Sequence, residues 1–340
     1  MNIPLWGTAL VAFIIINVLL IFASVLVYME RRIAAFIQDR VGPNRVGPEG
    51  VLQPFADVLK LIMKEDIRPL FANKTVHSLA PLIMVTIAMT VVAVVPFGRG
   101  LVIADVNVAI LVVLALTSLS VYGVTLAGWS SNSKYSLLGG LRSSAQMISY
   151  ELAMGTAVAS VVLMTGSLNL MEIIEAQGDW LGMGWNVFKN PLAFIIFTVT
   201  AFAETNRAPF DLPEAEQELV GGYHTEYSGM KFGMFFMAEY VNMFMASVLI
   251  STLFFGGFLI PFEPLFRDAM IESGWGWLFS TLQTLSLLVK AFFWVFVFIW
   301  VRWTLPRFKF NQLMNLGWKY LLPLGLANLV LIAVIMYLLA

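Results

Sequence analysis

The chain has 340 residues, of which 12% are charged and 59% apolar, with a net charge of −1. Charged residues are about half as frequent as in soluble proteins and mean hydropathy is +0.84, which excludes a water-solvated globule and gives no footing for nucleic acid. Cysteine is absent and only His77 and His224 represent histidine, which removes thiolate chemistry, cysteine-held iron–sulfur clusters and zinc or haem sites of ordinary spacing.

A helix crossing about 30 Å of hydrocarbon needs about 20 mostly apolar residues. Eight segments qualify: 5–29, 79–97, 101–128, 144–164, 191–208, 232–261, 279–303 and 318–339. The first has no basic residue before Arg31 and so lacks the basic n-region and short apolar core of a secretory signal. It is expected to be a retained span. The fifth is the shortest. An all-α integral membrane protein is predicted, a single polytopic domain over 1–340 with about eight transmembrane helices.

After the first span, Gly42-Pro-Asn-Arg-Val-Gly-Pro48 is rich in turn formers. Its glycines do not match a dinucleotide or P-loop spacing, so a fixed turn is predicted. Segment 51–66 is too charged to span. Leu52, Phe55, Leu59, Ile62 and Met63 fall on one helical face, with Asp57, Lys60, Lys64 and Glu65 mostly off it. This pattern fits an amphipathic helix in the membrane interface or a surface helix packed on the bundle.

Lysine and arginine placement sets the orientation. Of the 20 such residues, 16 lie in the odd-numbered connections and their helix edges, while the even ones hold only Arg99, Lys189 and Arg267. The odd loops are therefore expected in the cytoplasm and both termini on the other side. Lys290 falls inside the seventh span.

Charges within spans are expensive and mark function more often than not. Glu30 ends the first predicted span, Glu151 lies about two turns inside the fourth, Glu204 ends the fifth, and Glu239 is about two turns into the sixth. All four come to the cytoplasmic half, which suits a proton or polar-water path. Glu30 also has a bland reading, as an interfacial residue beside Arg31 and Arg32. Glu151 and Glu239 have no adjacent cation in sequence. Lys290 is expected to be uncharged or paired with a carboxylate such as Glu151 or Glu239. Between the fifth and sixth spans, the acidic segment 204–231 sets Glu204, Asp211, Glu214, Glu216, Glu218 and Glu226 against one arginine, Arg207. Interleaved Pro209, Phe210, Leu212, Pro213, Tyr223 and Tyr227 resist a simple solvated coil, and crowded carboxylates hold protons more tightly.

Several strings together carry a family resemblance: Glu30-Arg-Arg32, Gly42–Pro48, Leu52-Gln-Pro-Phe-Ala-Asp57, Gly128-Trp-Ser-Ser-Asn-Ser-Lys-Tyr135, Ile148-Ser-Tyr-Glu151, Ala203-Glu-Thr-Asn-Arg207, Glu214-Ala-Glu-Gln-Glu-Leu219, Ala238-Glu-Tyr240 and Leu305-Pro-Arg-Phe308. In order and spacing the chain resembles the quinone-site membrane subunit of respiratory complex I, the H-type membrane component of NADH–quinone oxidoreductase, over nearly its whole length.

That resemblance implies a non-redox subunit of a proton-translocating NADH:quinone oxidoreductase in a bacterial inner membrane. It implies quinone as substrate, with FMN and iron–sulfur clusters held by partner subunits and no cofactor bound by this chain. Soluble quinone-reducing and iron–sulfur subunits, neighbouring membrane-arm subunits and lipid are the implied partners. By motif, Arg31, Gln53, Phe55, Asp57, Arg142, Asp211, Arg302 and Arg307 are candidates to line or support the quinone chamber. Glu30, Glu151, Glu204, Glu214, Glu216, Glu218, Glu239 and Lys290 are candidates for the proton path. The nearest alternative is the homologous membrane subunit of a hydrogenase-type or other electron-input complex. A stand-alone transporter would more often show inverted repeats and broken helices, and no repeat is visible.

Overall fold

In a computed structural model, residues 5–211 and 220–339 are described. Among them the chain is helical, with no β-strand beyond one isolated bridge between Gly98 and Leu101. The long helices are α1 (Leu5–Ile37), α3 (Lys74–Val91), α4 (Ala109–Ser130), α5 (Lys134–Thr165), α6 (Pro191–Glu204), α7 (Gly229–Phe254), α8 (Gly276–Thr304) and α9 (Phe310–Leu338); the shorter α2 (Gln53–Met63) follows α1. Seven of these described helices are long and apolar enough to cross a membrane, and α6 is a shorter apolar helix. The chain is a multi-pass, all-α integral membrane protein.

Several helices depart from the predicted segments. At 33 residues, α1 reaches about 50 Å and carries Glu30, Arg31 and Arg32 within it rather than beyond its end. The predicted third span begins at 101, but residues 101–108 pack as a non-helical turn and α4 starts at Ala109. By contrast α5 starts at Lys134, because Ser131, Ser136, Ser143 and Ser144 find buried positions against neighbouring helices. Polar residues that weigh against a span in hydropathy are thus accommodated between helices. Finally, α7 stops at Phe254, where Gly256 and Gly257 adopt positive φ, and the chain to 261 is not helical.

Helix α7 is the most buried span and packs on α1, α3, α6 and α8, while α5 packs on α4, α6 and α9. Lipid tails supply no hydrophobic drive between helices, so close approach rests on small residues and hydrogen bonds. Gly128 and Gly140 show this: a Cβ on Gly128 would fall 2.6 Å from the Ser136 carbonyl oxygen, and one on Gly140 would fall 3.4 Å from the Gly128 Cα. Within α9, a π-helical turn at Leu316–Leu321 faces α5, where Trp318 donates to the Ser149 hydroxyl at 2.9 Å and Tyr150 donates to the Leu313 carbonyl at 2.9 Å.

The odd-numbered connections converge at one end of the bundle. Asn73 N–H donates to the Ser130 carbonyl at 3.1 Å, Phe308 N–H to that of Pro209 at 3.0 Å, and Lys231 meets Asp66 at 2.9 Å. Slight desolvation would raise the Asp66 carboxyl, but Lys231 and Arg68 outweigh it and hold it below the ordinary range. The even connections meet at the other end, where Arg99 N–H donates to Gln283 at 3.2 Å.

Candidate functional site

The turn after α1 is fixed as predicted. Gly47 and Gly50 have φ of +73° and +77°, and a Cβ on Gly50 would lie 2.2 Å from the Pro43 carbonyl oxygen. From α1, Tyr28 donates to the Glu49 carbonyl at 2.9 Å and Arg32 pairs with the Glu49 carboxylate at 2.6 Å. The turn delivers α2 to the side of α1, where Arg31 pairs with Asp57 at 2.5 Å and Gln53 donates to Asp57 at 3.3 Å. The inner side of α2 sits on α7, Leu61 lying over Gly233. Phe55, Leu59, Ile62 and Met63 are exposed. The helix is thus packed on the bundle, as one reading of the sequence expected, and presents an apolar stripe outward.

One residue earlier on α1, about 100° around the helix, Glu30 points into the bundle. It is buried and bridges two arginines: Arg207 Nη1 donates to its Oε2 at 2.8 Å and Arg302 Nη1 to its Oε1 at 2.7 Å. Glu239 on α7 faces the same pair, 3.0 Å from Arg207 Nε and 3.9 Å from Arg302 Nη1. Arg207 has 0% side-chain exposure and lies over the Tyr240 ring at 4.6 Å. Burial would weaken its charged form, but Glu30 and Glu239 more than compensate and raise its pKa above the ordinary arginine value. Next to this quartet, Arg307 donates to Asp211 at 2.9 Å. A single buried ion pair scarcely offsets its desolvation. A network of two carboxylates and two guanidinium groups lets each charge meet more than one partner.

Of the two readings of Glu30, the bland one is not supported by its burial, since the helix continues past it and turns it inward. Glu239 has no adjacent cation in sequence but gains two in space, from the loop after α6 and from the end of α8.

A second group of acids lies further along the bundle. Glu151 is near the middle of α5, since 17 residues of helix precede it, or about 25 Å at 1.5 Å each; it is deeper than two turns. It accepts from the Ser118 hydroxyl on α4 and is close enough to Glu204 for the two charges to interact. Glu204 borders a cavity of about 50 Å³ with Thr117, Thr205 and Asn242 among apolar walls, and its Oε2 is buried without a hydrogen-bond partner. The four acids expected at one depth thus fall into two pairs, Glu30 with Glu239 and Glu151 with Glu204.

Lys290 stands apart from both. Its Nζ donates to the carbonyls of Phe255, Gly257 and Leu259 at 2.9, 2.8 and 2.7 Å. These carbonyls belong to the non-helical segment that follows α7, and Lys290 pairs with neither Glu151 nor Glu239. Arg142 lies over the Phe310 ring at 5.9 Å, at the base of α9. Glu214, Glu216 and Glu218 lie outside the described residues.

The structure therefore gathers Arg31, Gln53, Phe55 and Asp57 in one group beside α1, and Asp211, Arg302 and Arg307 with Glu30 and Glu239 in another. Sequence reasoning left out the hub, Arg207. Its only sequence signal was a lone arginine in an acidic loop, and the carboxylates it meets, Glu30 and Glu239, lie outside that loop. Gln146 is a second omission; its amide donates to the carbonyls of Ala203 and Phe210 at 2.9 and 2.7 Å and shapes the loop that carries Arg207.

A family model described as NADH dehydrogenase matches residues 9–333. NADH-quinone oxidoreductase subunit 8 of Rhodothermus marinus is 70% identical over 334 residues, covering 98% of each chain. The NADH-quinone oxidoreductase subunit designated H in Salinibacter ruber is 65% identical, over 96% of this chain and 95% of its own. The one designated H 1 in Cytophaga hutchinsonii is 46% identical, over 93% of each. Such identity over nearly full length leaves no room for a shared fragment alone: this chain belongs to the NADH dehydrogenase family, as the H-type membrane component of NADH-quinone oxidoreductase, respiratory complex I.

Proposed function

We propose that this chain forms the membrane part of the quinone chamber and passes the charge change of quinone reduction to acids that translocate protons. The observation that carries this reading is that two consecutive residues, about 100° apart around α1, meet different partners. Arg31 faces α2 and Asp57, while Glu30 faces Arg207 and Arg302. A charge change on the α2 side of α1 is then one residue from the internal network.

Reduction of a quinone to quinol takes two electrons and two protons through anionic states. An anion near Arg31 competes with Asp57 for its guanidinium. Within the bundle, Glu239 is the looser partner, at 3.0 and 3.9 Å against 2.8 and 2.7 Å for Glu30. It is the carboxylate most easily detached when the local field changes, and Glu204 and Glu151 continue the acidic series beyond it. A ligand-driven rearrangement needs two states with different partners; a shared guanidinium provides them. The exposed Phe55 and Leu59 of α2 offer an apolar wall for an isoprenoid tail.

With no cysteine in the sequence, electrons are to be delivered from iron–sulfur clusters in soluble partners, which also hold the FMN. Purification from the native membrane should recover flavin and iron–sulfur subunits with this chain, and the chain alone should show no visible chromophore and no NADH oxidation. Co-purification with hydrogenase subunits instead would favour the alternative electron-input complex. For a bacterial inner membrane with both termini outside, reporter fusions after Asn73, Lys134, Lys231 and Lys309 should report cytoplasm. Fusions after Arg99, Lys189 and Arg267 should report the opposite side, and a cytoplasmic signal at Arg267 would overturn this topology.

A further inference from the structure

At the end of the bundle away from Glu30, four charged side chains from three segments surround a second cavity. Arg99 follows α3, Glu175 closes the short helix Leu170–Glu175, and Glu263 and Arg267 stand one turn apart on the helix Glu263–Glu272. With Gly178, Gly182, Leu259 and Pro264 they line a volume of about 280 Å³. Gly182 keeps one wall thin: its φ is +82°, and a Cβ there would fall 2.9 Å from the Ile260 carbonyl oxygen.

The arginines are under-used. Arg99 reaches Glu175 only at 3.3 Å and Glu263 only at 3.9 Å. Arg99 Nε and Nη1 and Arg267 Nε are buried without a hydrogen-bond partner among the described residues. An unmet buried donor is destabilising, more so when charged. Two guanidinium groups facing one cavity match the oxygens of a phosphate. The acids limit which phosphate. Glu263 is 4% exposed and engaged by Gln283 at 3.4 Å, whereas the Glu175 side chain is 48% exposed and open to a cation. Two arginines and two glutamates leave the cavity balanced in charge, which favours a ligand carrying both signs over a simple anion.

Its surroundings place it at headgroup depth. Trp275 and Trp277, exposed by 54% and 68%, follow the Glu263–Glu272 helix, and Leu265 on that helix is 70% exposed. Tryptophans concentrate at the membrane–water boundary, and exposed leucine beside them suits acyl chains.

We propose that this cavity binds the headgroup of a phospholipid carrying a phosphate and a primary ammonium, of the phosphoethanolamine type. The phosphate oxygens accept from Arg99 and Arg267, and the ammonium donates to Glu175. A trimethylated ammonium has no N–H to donate, so a phosphocholine headgroup loses that contact, and a phosphoglycerol headgroup brings an unbalanced negative charge beside Glu175.

The test is native mass spectrometry of the full chain in detergent, with phosphatidylethanolamine, phosphatidylcholine and phosphatidylglycerol added at equal concentration. Retained phosphatidylethanolamine adduct should exceed each of the others at least five-fold. Arg267→Gln should lower that adduct at least five-fold. Glu175→Gln, at a half-exposed position where folding is not at stake, should abolish the preference over phosphatidylglycerol while retaining phosphate-dependent binding. Equal retention of the three lipids, a preference for phosphatidylglycerol in the unaltered chain, or no effect of either substitution would overturn the assignment. Adducts of inorganic phosphate that displace lipid would show a free-anion site and overturn it as well.

Discussion

Glu30 and Arg207 lie 177 positions apart in sequence and meet at 2.8 Å inside the bundle. Each is buried, and each has a second ionic partner, Arg302 for Glu30 and Glu239 for Arg207. The pairing joins the end of α1 to the loop after α6, and through Glu239 and Arg302 it joins α7 and α8. One contact thus ties four segments into a unit whose charges are balanced only while all members are present.

Removing the hub should be severe. Arg207→Met leaves Glu30 and Glu239 as like charges in a buried site, with a cost of about 3–5 kcal/mol for breaking such a pair from one side. The subunit should be depleted from assembled complex on native gels. Arg207→Lys should be intermediate, because a point charge cannot replace a planar fork that serves two carboxylates. Normal assembly of Arg207→Met would show that the network is not structural.

How far this site was legible in sequence depends on where its partners sit. Eight apolar segments, the turn at Gly42–Pro48 and the apolar face of α2 rest on local composition and period, and these appear in the helix order. Span limits moved where locality fails: α5 buries serines that hydropathy counts against it, and α7 ends on two glycines at positive φ. The individual acids were visible because carboxylates in apolar helices stand out. Their partners were not, since Arg207 and Arg302 reach Glu239 only through tertiary packing. Lys290 shows the same limit: backbone carbonyls of the loop after α7 satisfy it, and carbonyls leave no mark in a sequence.

The α2 wall can be tested by size. Phe55 is 46% exposed on the apolar stripe. Phe55→Trp should narrow a tail route there and slow reduction of long-tailed quinones several-fold while sparing short-tailed analogues. Steady-state rates with a tail-length series measure this. Equal loss for all lengths would place the tail elsewhere.

His224 should make stability sensitive to mild acid. It is buried against Phe232 and Phe236, and burial pushes its pKa down to about 4 from 6.5. Between those values the unfolded chain binds a proton that the folded chain does not, so stability falls as pH drops through this window. From pH 6.5 to 5 the loss should be about 1–2 kcal/mol. Thermal melts of the wild type and of His224→Phe over that range should diverge, with the variant flatter. Parallel curves would contradict it.

The α4–α5 crossing is tight enough for a single methyl to matter. Gly128→Ala puts a Cβ 2.6 Å from a backbone oxygen, and overpacking of this kind costs about 1–3 kcal/mol. The variant should melt lower in detergent, whereas Gly155→Ala, with open space around its Cβ, should not.

The role of the buried acids in coupling is tested most directly by the rates of quinone reduction and of proton translocation in reconstituted complex carrying both Glu151→Gln and Glu239→Gln. Glutamine preserves volume and hydrogen bonding but removes the titrating proton. NADH oxidation by an artificial acceptor, which bypasses the quinone, controls for assembly. With that control normal, quinone reduction and proton translocation should fall together at least ten-fold, and the Glu→Asp versions should retain more of both. Normal quinone reduction with a full proton-to-electron ratio in the assembled double variant would contradict the proposal.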